Sequence, residues 1–166
     1  QYPQEQRLYL AFADLLMSQN QPKEAYDVYE KVLAIGPREA AYEFTAGTLA
    51  NTIGRTDRAL EHYAAAQTAD PSNPDYPLYL GLILMKLDQF TEANISLRRS
   101  TLLRDSDIAW GSMAEIALRE NNLDAAHNHI TKARTLNPDS LAWRLLEARL
   151  RNRQGKPEET IALLSP

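Results

Sequence analysis

Small and apolar side chains recur along this chain at two spacings, with polar positions between them. Over short distances they lie about four residues apart, which places them on one face of an α-helix. Over longer distances small residues return after 34 positions, as at Ala25, Ala59 and Ala93. The next equivalent residue, Ala126, follows after 33 positions, so one residue is missing near 104–107. A fixed period of this length indicates a repeat architecture.

Five copies of the repeat align over 6–39, 40–73, 74–106, 107–140 and 141–166, the last of them incomplete. We use the word column for one aligned position across the copies. The first column of small residues holds Ala13, Gly47, Gly81, Ala114 and Ala148. The second holds Ala25, Ala59, Ala93, Ala126 and Thr160, and the third holds Val32, Ala66, Ser100 and Ala133. Larger residues fill the gaps at Tyr29, Tyr63, Leu97 and Ile130. Because two antiparallel helices approach closely only where side chains are small, each copy predicts a helical hairpin.

The turn within each hairpin also has a column of its own. It holds Asn20, Gly54, Asp88, Asn121 and Gly155. These residue types tolerate the left-handed backbone conformation just after a helix. Plausible starters for the second helix follow them at Pro22, Thr56, Thr91, Asn122 and Pro157. Pro37, Pro71 and Pro138 close their copies, because proline cannot continue a helix. With no strand pattern present, we predict an all-α chain.

A helix–turn–helix of 34 residues with these small columns, intervening aromatic residues and a closing proline resembles the tetratricopeptide repeat, or TPR. The fourth copy also has a tryptophan near its start, Trp110. The third copy departs most, because Asp105 stands where the others have proline. The resemblance covers almost the whole of 1–166 and implies a single array. The implied fold is an α-solenoid of stacked hairpins forming a right-handed superhelix, with first helices lining a concave groove.

The family resemblance also implies where a ligand would bind, because TPR proteins contact ligands with the inner face of their first helices. The corresponding positions here are Leu10, Asp14, Met17, Phe44, Thr48, Asn51, Leu78, Leu82, Met85, Glu115, Arg119, Arg149 and Arg153. Phe44, Leu78, Leu82 and Met85 would form an apolar strip suited to an extended or helical peptide. Alternatively, the leucines pack against the adjacent repeat and leave no surface for a ligand.

Arg119, Arg149 and Arg153 form a second group of predicted groove residues. Arg149 and Arg153 are four apart on one helix face, and an arginine cluster could receive an acidic segment. The alternative is a solvated surface without a ligand. Some TPR proteins clamp the terminal carboxylate of chaperone peptides with Lys and Asn. This chain has Leu10 and Asp14 at the first such positions, and Asp14 would repel a carboxylate, so we predict that it is not a co-chaperone of that kind.

Composition narrows the function classes. The formal net charge is −4, which argues against a general nucleic-acid binder. The absence of cysteine excludes disulfides, thiolate metal sites and a cysteine nucleophile. No apolar run approaches the roughly 18 residues of a membrane span, and the N-terminus has no signal-peptide pattern, which leaves the compartment undetermined. Because the chain opens on Gln1 and stops at LLSP, we expect it to be a piece of a longer protein.

Catalytic candidates are poor. His127 and His129 are two apart on a predicted helix, so their side chains point about 200° apart and cannot share one metal. His62 and His129 share a repeat column but lie two repeats apart. No HExxH, GxSxG, phosphate-loop or EF-hand pattern occurs, and carboxylates are expected on solvated outer faces. We therefore predict no catalysis and no cofactor.

The sequence thus favours a protein–protein interaction scaffold that binds a peptide or helix of a partner in the concave groove. The alternative is a structural spacer or self-assembly module of a larger protein, such as a cell-envelope or secretion component. The apolar C-terminal end, TIALLSP, motivates this second hypothesis, which includes self-association through the repeat ends. A regulatory domain attached to an enzyme or a transcription factor is a third possibility, which no residue of this chain favours.

Overall fold

The computed structural model describes the backbone of residues 2–165 and the side chains from Gln4 to Ser165. This part of the chain forms ten α-helices and no strand, which confirms the all-α prediction. The helices are α1 (Tyr2–Ser18), α2 (Pro22–Ile35), α3 (Ala40–Thr52), α4 (Thr56–Ala69), α5 (Asp75–Lys86), α6 (Phe90–Leu103), α7 (Asp107–Arg119), α8 (Leu123–Leu136), α9 (Leu141–Arg153) and α10 (Pro157–Leu164).

The helices gather into two compact units, 1–88 and 89–166. In the first unit, α1 packs against α2 and α3 against α4, while α2 also contacts α3 and α4 contacts α5. In the second unit, α7 packs against α8 and α9 against α10, with further contacts from α6 to α7 and from α8 to α9. Each hairpin therefore stacks on its neighbour within its unit. The prediction of one array over 1–166 stays a prediction.

The predicted small columns lie where helices of a hairpin touch. Ala13, Ala25, Ala59 and Ala126 are all fully buried. At Gly47 the reason is visible, because a Cβ atom would lie 2.8 Å from the ring of Tyr63 on the paired helix. The larger residues of the repeat, Tyr29, Tyr63, Leu97 and Ile130, are buried as predicted, and none is more than 5% exposed. Apolar burial at these contacts is the main stabilising term of the fold.

The predicted turn residues adopt the left-handed conformation in all five copies. Their φ angles are 57° at Asn20, Asp88 and Asn121, 79° at Gly54 and 73° at Gly155. Two backbone hydrogen bonds close the turn after α7, from Asn122 N to Ala117 O at 2.8 Å and from Asn121 N to Leu118 O at 3.1 Å. This is the Schellman arrangement, which satisfies carbonyl groups that a helix end leaves unpaired.

The predicted starters of the second helices are correct with one exception. Pro22, Thr56 and Pro157 begin their helices, and Asn122 caps α8 by accepting a hydrogen bond from Ala125 N at 3.1 Å. Thr91 instead lies inside α6, which begins at Phe90. The turn before α6 resembles that before α4, with ψ of 69° at both Gln89 and Arg55, so the helix starts directly after it.

The closing prolines follow helix ends but are not required for them. α2, α4 and α8 end two residues before Pro37, Pro71 and Pro138. α6 ends at the equivalent place, Leu103, although Asp105 replaces the proline there. Within 2–165, no helix combines the length and hydrophobicity that a membrane span requires.

Candidate interaction surfaces

The predicted strip of the first unit centres on an aromatic cluster. Phe44 on α3 lies 5.6 Å from Tyr63, 5.2 Å from Tyr76 and 5.0 Å from Tyr79, measured between ring centroids. Phe44 is half-buried and Tyr79 is 39% exposed, so part of the cluster reaches the surface. Tilted and edge-on contacts of this kind are favoured arrangements of aromatic pairs, and they stabilise the packing beyond the burial of area. The cluster joins α3, α4 and α5.

Polar groups flank Phe44 along α3. Thr48 and Asn51 are exposed, and Lys86 Nζ on α5 donates a hydrogen bond of 3.0 Å to Asn51 Oδ1. The Tyr63 hydroxyl donates to Thr48 Oγ1 at 3.4 Å. Burial raises the pKa of Tyr63, and the bond to Thr48 acts in the opposite direction with a smaller effect. The phenol therefore stays a hydrogen-bond donor at neutral pH.

The apolar residues of α5 divide between core and surface. Leu78 is only 6% exposed, so it packs inside the unit. This agrees with the alternative that this leucine packs within the fold and offers no surface to a ligand. Leu82 and Met85 are half-buried and keep part of their surface. We use the name α3–α5 surface for Phe44, Thr48, Asn51, Leu82 and Met85. On α1, the predicted residues Asp14 and Met17 are exposed and Leu10 is half-buried.

The predicted arginines of the second unit already have partners in two of three cases. Arg119 lies 3.6 Å from the Glu115 carboxylate, and its guanidinium stands 5.1 Å from the centre of the Phe90 ring. Arg153 donates a hydrogen bond to the carbonyl of Leu118. Arg149 is exposed. It lines a cavity of about 380 Å³ together with Leu145, Ala148, Asn152, Thr160 and Leu164.

A buried polar cluster between α2, α3 and α4 was not predicted. Glu43 is 1% exposed and His62 is 3% exposed, and His62 Nδ1 lies 2.8 Å from Glu43 Oε2 in a hydrogen bond. Arg38 Nε donates to the other oxygen of Glu43 at 2.6 Å. The expectation that carboxylates lie on outer faces is therefore wrong for Glu43. Its burial is tolerated because both carboxylate oxygens are paired.

The same cluster continues across the adjoining repeat through α2. Glu30 Oε1 lies 2.8 Å from His62 Nε2, a close contact that is not aligned as a hydrogen bond. Arg58 donates to Glu30 Oε2 at 2.8 Å and to the Tyr26 hydroxyl at 3.2 Å. Burial by itself raises the pKa of Glu30, but the electrostatic effects of Arg58 and His62, together with hydrogen bonds from Tyr26 and Arg58, leave that pKa below its usual value. The cluster thus links two repeats.

A column comparison could have revealed this cluster. Glu43 occupies the repeat position that holds Trp110 in the fourth copy, and His62 occupies the position of His129. Trp110 stacks on His129 with 5.5 Å between ring centroids, so the same two positions touch in both copies. The same repeat position holds Tyr9 in the first copy and Pro77 in the third, so a carboxylate among such residues indicates a buried, paired charge. In the described chain no three His, Asp or Glu side chains are grouped to hold a metal.

Comparison with known proteins agrees with this architecture. The family model described as tetratricopeptide repeat matches residues 10–74, 44–101 and 112–165. No curated protein matches the chain. Among solved structures, residues 41 to the end of MamA from Desulfovibrio magneticus RS-1 are 14% identical to it. The TM-score is 0.90, and the match covers 99% of this chain and 93% of that one.

Two further structures share the fold. PilF of Pseudomonas aeruginosa is 18% identical with a TM-score of 0.79, covering 98% of this chain and 74% of that chain. YrrB, described as a TPR protein with an unusual peptide-binding site, is 24% identical with a TM-score of 0.78, covering 94% and 81%. These likenesses show the all-α solenoid fold. TPR proteins are in general non-enzymatic scaffolds, and the repeats found here support a general role in protein–protein interaction for this chain. Since the family model matches more than half of its length, the chain belongs to the tetratricopeptide repeat family.

Proposed function

We propose that this chain binds a helix or extended peptide of a partner protein on the α3–α5 surface. The observation that carries the proposal is the position of Phe44, whose half-buried ring is backed by Tyr63, Tyr76 and Tyr79. A ring held in this way is already ordered before a ligand arrives. Binding then costs little side-chain entropy, which favours recognition by a rigid aromatic platform.

The chemistry around Phe44 suits a peptide with apolar anchors. Leu82 and Met85 add apolar area on α5, and the flexible Met85 thioether can adapt to different side chains. Thr48 and Asn51 offer hydrogen-bonding groups to a peptide backbone at the edge of this area. An apolar centre with a polar rim is the usual composition of a protein interface.

Two threonine substitutions test the proposal, matched except that Thr48 also accepts a hydrogen bond from the Tyr63 hydroxyl. Thr48 and Thr68 are both exposed, and each hydroxyl bonds the carbonyl four residues earlier in its helix, Phe44 O and Ala64 O. Only Thr48 belongs to the α3–α5 surface. We expect Thr48→Arg to weaken the binding of peptides selected from a random displayed library by about tenfold or more, a loss of about 1.4 kcal/mol. Thr68→Arg should leave binding unchanged.

Fluorescence anisotropy with a labelled selected peptide would measure both affinities, and circular dichroism would verify that both variants fold. Equal affinities for the two variants would place the peptide site elsewhere. Substituting Phe44 itself is a weaker test, because its ring contacts three tyrosines and its loss would disturb the packing of α3 on α5.

For the second unit we propose that Arg149 contacts acidic residues of a partner. Its side chain is exposed beside an apolar cavity that Leu145 and Leu164 help to line. A carboxylate of a partner could pair with the guanidinium while an apolar neighbour enters the cavity. Arg149→Glu would then weaken binding of an acidic partner, whereas Arg144→Glu, at another exposed arginine of α9, would serve as the control.

A second candidate function, self-assembly, is favoured by apolar residues on α1. Phe12 and Leu15 are 48% and 52% exposed. Seven of their eight equivalents in later copies are buried, with exposures from 0 to 8%, at Ala46, Leu49, Leu80, Ile83, Met113, Ile116 and Leu150. The eighth, Glu147, is half-buried and pairs with Arg134 and Arg151. In later copies, side chains in these two columns pack against the preceding hairpin. On α1, the side chains in the same columns are exposed.

At the other end, Leu164 shows the complementary feature. It is 49% exposed, whereas its equivalents Tyr29, Tyr63, Leu97 and Ile130 are at most 5% exposed. Because both halves of the repeat interface are present on one chain, a second copy can continue the stack head to tail. We expect sedimentation velocity over a concentration series to show association, and Phe12→Glu with Leu15→Glu to abolish it. Ile108→Glu, at an exposed apolar residue of α7, is the control; a strictly monomeric wild type would reject this function.

A further inference from the structure

The outer face of α6 differs from that of the other second helices. Ile95 and Leu102 are 67% and 82% exposed, and Arg98 and Arg99 lie between them in sequence. Spacings of three, four and seven residues place these four side chains on one side of the helix. We use the name α6 stripe for Ile95, Arg98, Arg99 and Leu102.

The repeat itself does not require apolar residues in the stripe. The equivalents of Ile95 are Asp27, Glu61 and Asn128, and the equivalents of Leu102 are Ala34, Thr68 and Thr135. All six are exposed, and all are polar or small. Hairpins therefore stack without any apolar contribution from these positions. Exposed large apolar residues that the fold does not use indicate an interaction site.

A cavity adjoins the stripe. Its volume is about 410 Å³, and its lining residues are Thr91, Asn94, Ile95, Arg98, Arg99, Leu102 and Glu120. The Oδ1 atom of Asn94 is buried there, and no hydrogen-bond donor in the described part of the chain reaches it. Because this oxygen has almost no accessible surface, a bound segment would contact the apolar and arginine side chains around it instead.

We propose that the α6 stripe binds an acidic amphipathic helix of a partner protein. Ile95 and Leu102 are seven residues apart, about 10 Å along the helix axis, which matches two apolar anchors two turns apart on a bound helix. Charge complementarity selects the flanking residues of that helix. Arg98 is exposed, and no carboxylate in the described chain forms an ion pair with it, while Glu120 is the single acidic residue of the cavity lining.

A protein partner suits this stripe better than an anionic membrane or nucleic acid. The stripe has two arginines, and the chain as a whole has a formal net charge of −4. Polyanions are bound through broad basic surfaces, because each neutralised phosphate adds to affinity. The stripe instead has two arginines between two apolar side chains, and its size is that of one face of a bound helix.

The test uses synthetic helical peptides as probes. One peptide is stapled, with two leucines seven residues apart and glutamates beside them; the second has lysines in place of the glutamates. We expect the glutamate peptide to bind the wild-type chain and the lysine peptide to bind at least about tenfold more weakly. Failure of the glutamate peptide to bind, or equal binding of both, would overturn the proposal.

Three variants locate the site and the source of its charge preference. Ile95→Asn with Leu102→Thr reproduces the residues of α8, so the fold should persist while peptide affinity falls about tenfold or more. Arg98→Glu should weaken the glutamate peptide and strengthen the lysine peptide. Thr131→Glu, at the α8 position equivalent to Arg98, should change neither affinity by more than about twofold.

The competing partner class is tested with vesicles of phosphatidylcholine containing phosphatidylserine. We expect no co-sedimentation of the wild-type chain with them. If the wild type binds the vesicles and the Ile95→Asn, Leu102→Thr variant does not, the stripe is a membrane-binding site and the proposal of a helical partner is rejected. The Thr48→Arg variant separates this site from the α3–α5 surface, since it should leave affinity for the glutamate peptide unchanged.

Discussion

At the scale of single residues, Glu43 has the most demanding environment. Its carboxylate is withdrawn from water and is paired with His62 and Arg38 on opposite oxygens. Such a pair need not stabilise the fold relative to apolar residues, but the loss of one partner leaves a buried group without compensation. This asymmetry makes the cluster sensitive to single substitutions.

We predict that Glu43→Leu destabilises the chain by about 3–5 kcal/mol, because His62 loses a buried partner. The double variant Glu43→Leu, His62→Leu should recover much of that loss, since both polar groups are then removed. Urea unfolding followed by circular dichroism measures both. Glu61→Leu, at an exposed glutamate of α4, is the control and should change stability by less than about 1 kcal/mol. If the single and double variants lose the same stability, His62 does not depend on Glu43.

At the scale of elements, the turns inside the hairpins determine where helices end. Asn20, Asp88 and Asn121 adopt positive φ although each has a side chain, and only residue types such as Asn and Asp accept this at low cost. The turn residues therefore do more to define the hairpin than the closing prolines, one of which is replaced by Asp105 without moving the helix end.

We predict that Asn121→Ala destabilises the chain by about 1 kcal/mol, because alanine is strained at a φ of 57°. Asn121→Gly should be neutral or slightly stabilising, since glycine accepts this conformation freely. Asn128→Ala, in the exposed middle of α8, should instead stabilise by a few tenths of a kcal/mol through helix propensity. Midpoints of thermal unfolding would rank the three. A loss at Asn128 as large as that at Asn121 would contradict the turn explanation.

At the scale of the whole molecule, several carboxylates have lowered pKa values, so that acid decreases the stability of the fold at each of them. Burial raises the pKa of Glu147, but the hydrogen bonds and the positive charges of Arg134 and Arg151 together lower that pKa overall. Burial likewise raises the pKa of Asp107, and hydrogen bonds from Trp143 and Asn137 more than offset it. Groups with a lowered folded-state pKa contribute stability above their unfolded value that is lost as the pH falls.

His129 should be the first of these groups to respond. Burial, and then the charge of Arg98, lower the pKa of its imidazole, so the folded chain binds fewer protons than the unfolded chain. The stability that depends on neutral His129 is fully present above the ordinary histidine pKa of about 6.5. It is lost as the pH falls toward the lower pKa of the folded state. We predict that the wild type loses more stability than His129→Gln between about pH 7 and pH 5.5. Urea unfolding at each pH measures the difference, and parallel profiles would exclude His129 as the cause.

The sequence by itself determined the repeat, the hairpins and the turns. These features depend on local rules: small residues at helical spacing, and Asn, Asp or Gly one position after a helix. Such rules act over a few residues and return in every copy, so five weak signals reinforce one another. The positions of the first-helix residues followed from the same register.

Only the tertiary structure decided which side chains are covered and which are paired. Leu78 is buried while Leu82 on the same helix is partly exposed, because neighbouring helices cover one side more than the other. Arg153 bonds the carbonyl of Leu118, and His62 meets Tyr26 and Glu43, across separations of 19 to 36 residues. Helical periodicity defines faces but not their neighbours. The partners of buried charges and the outward position of the α6 stripe therefore depend on packing between helices.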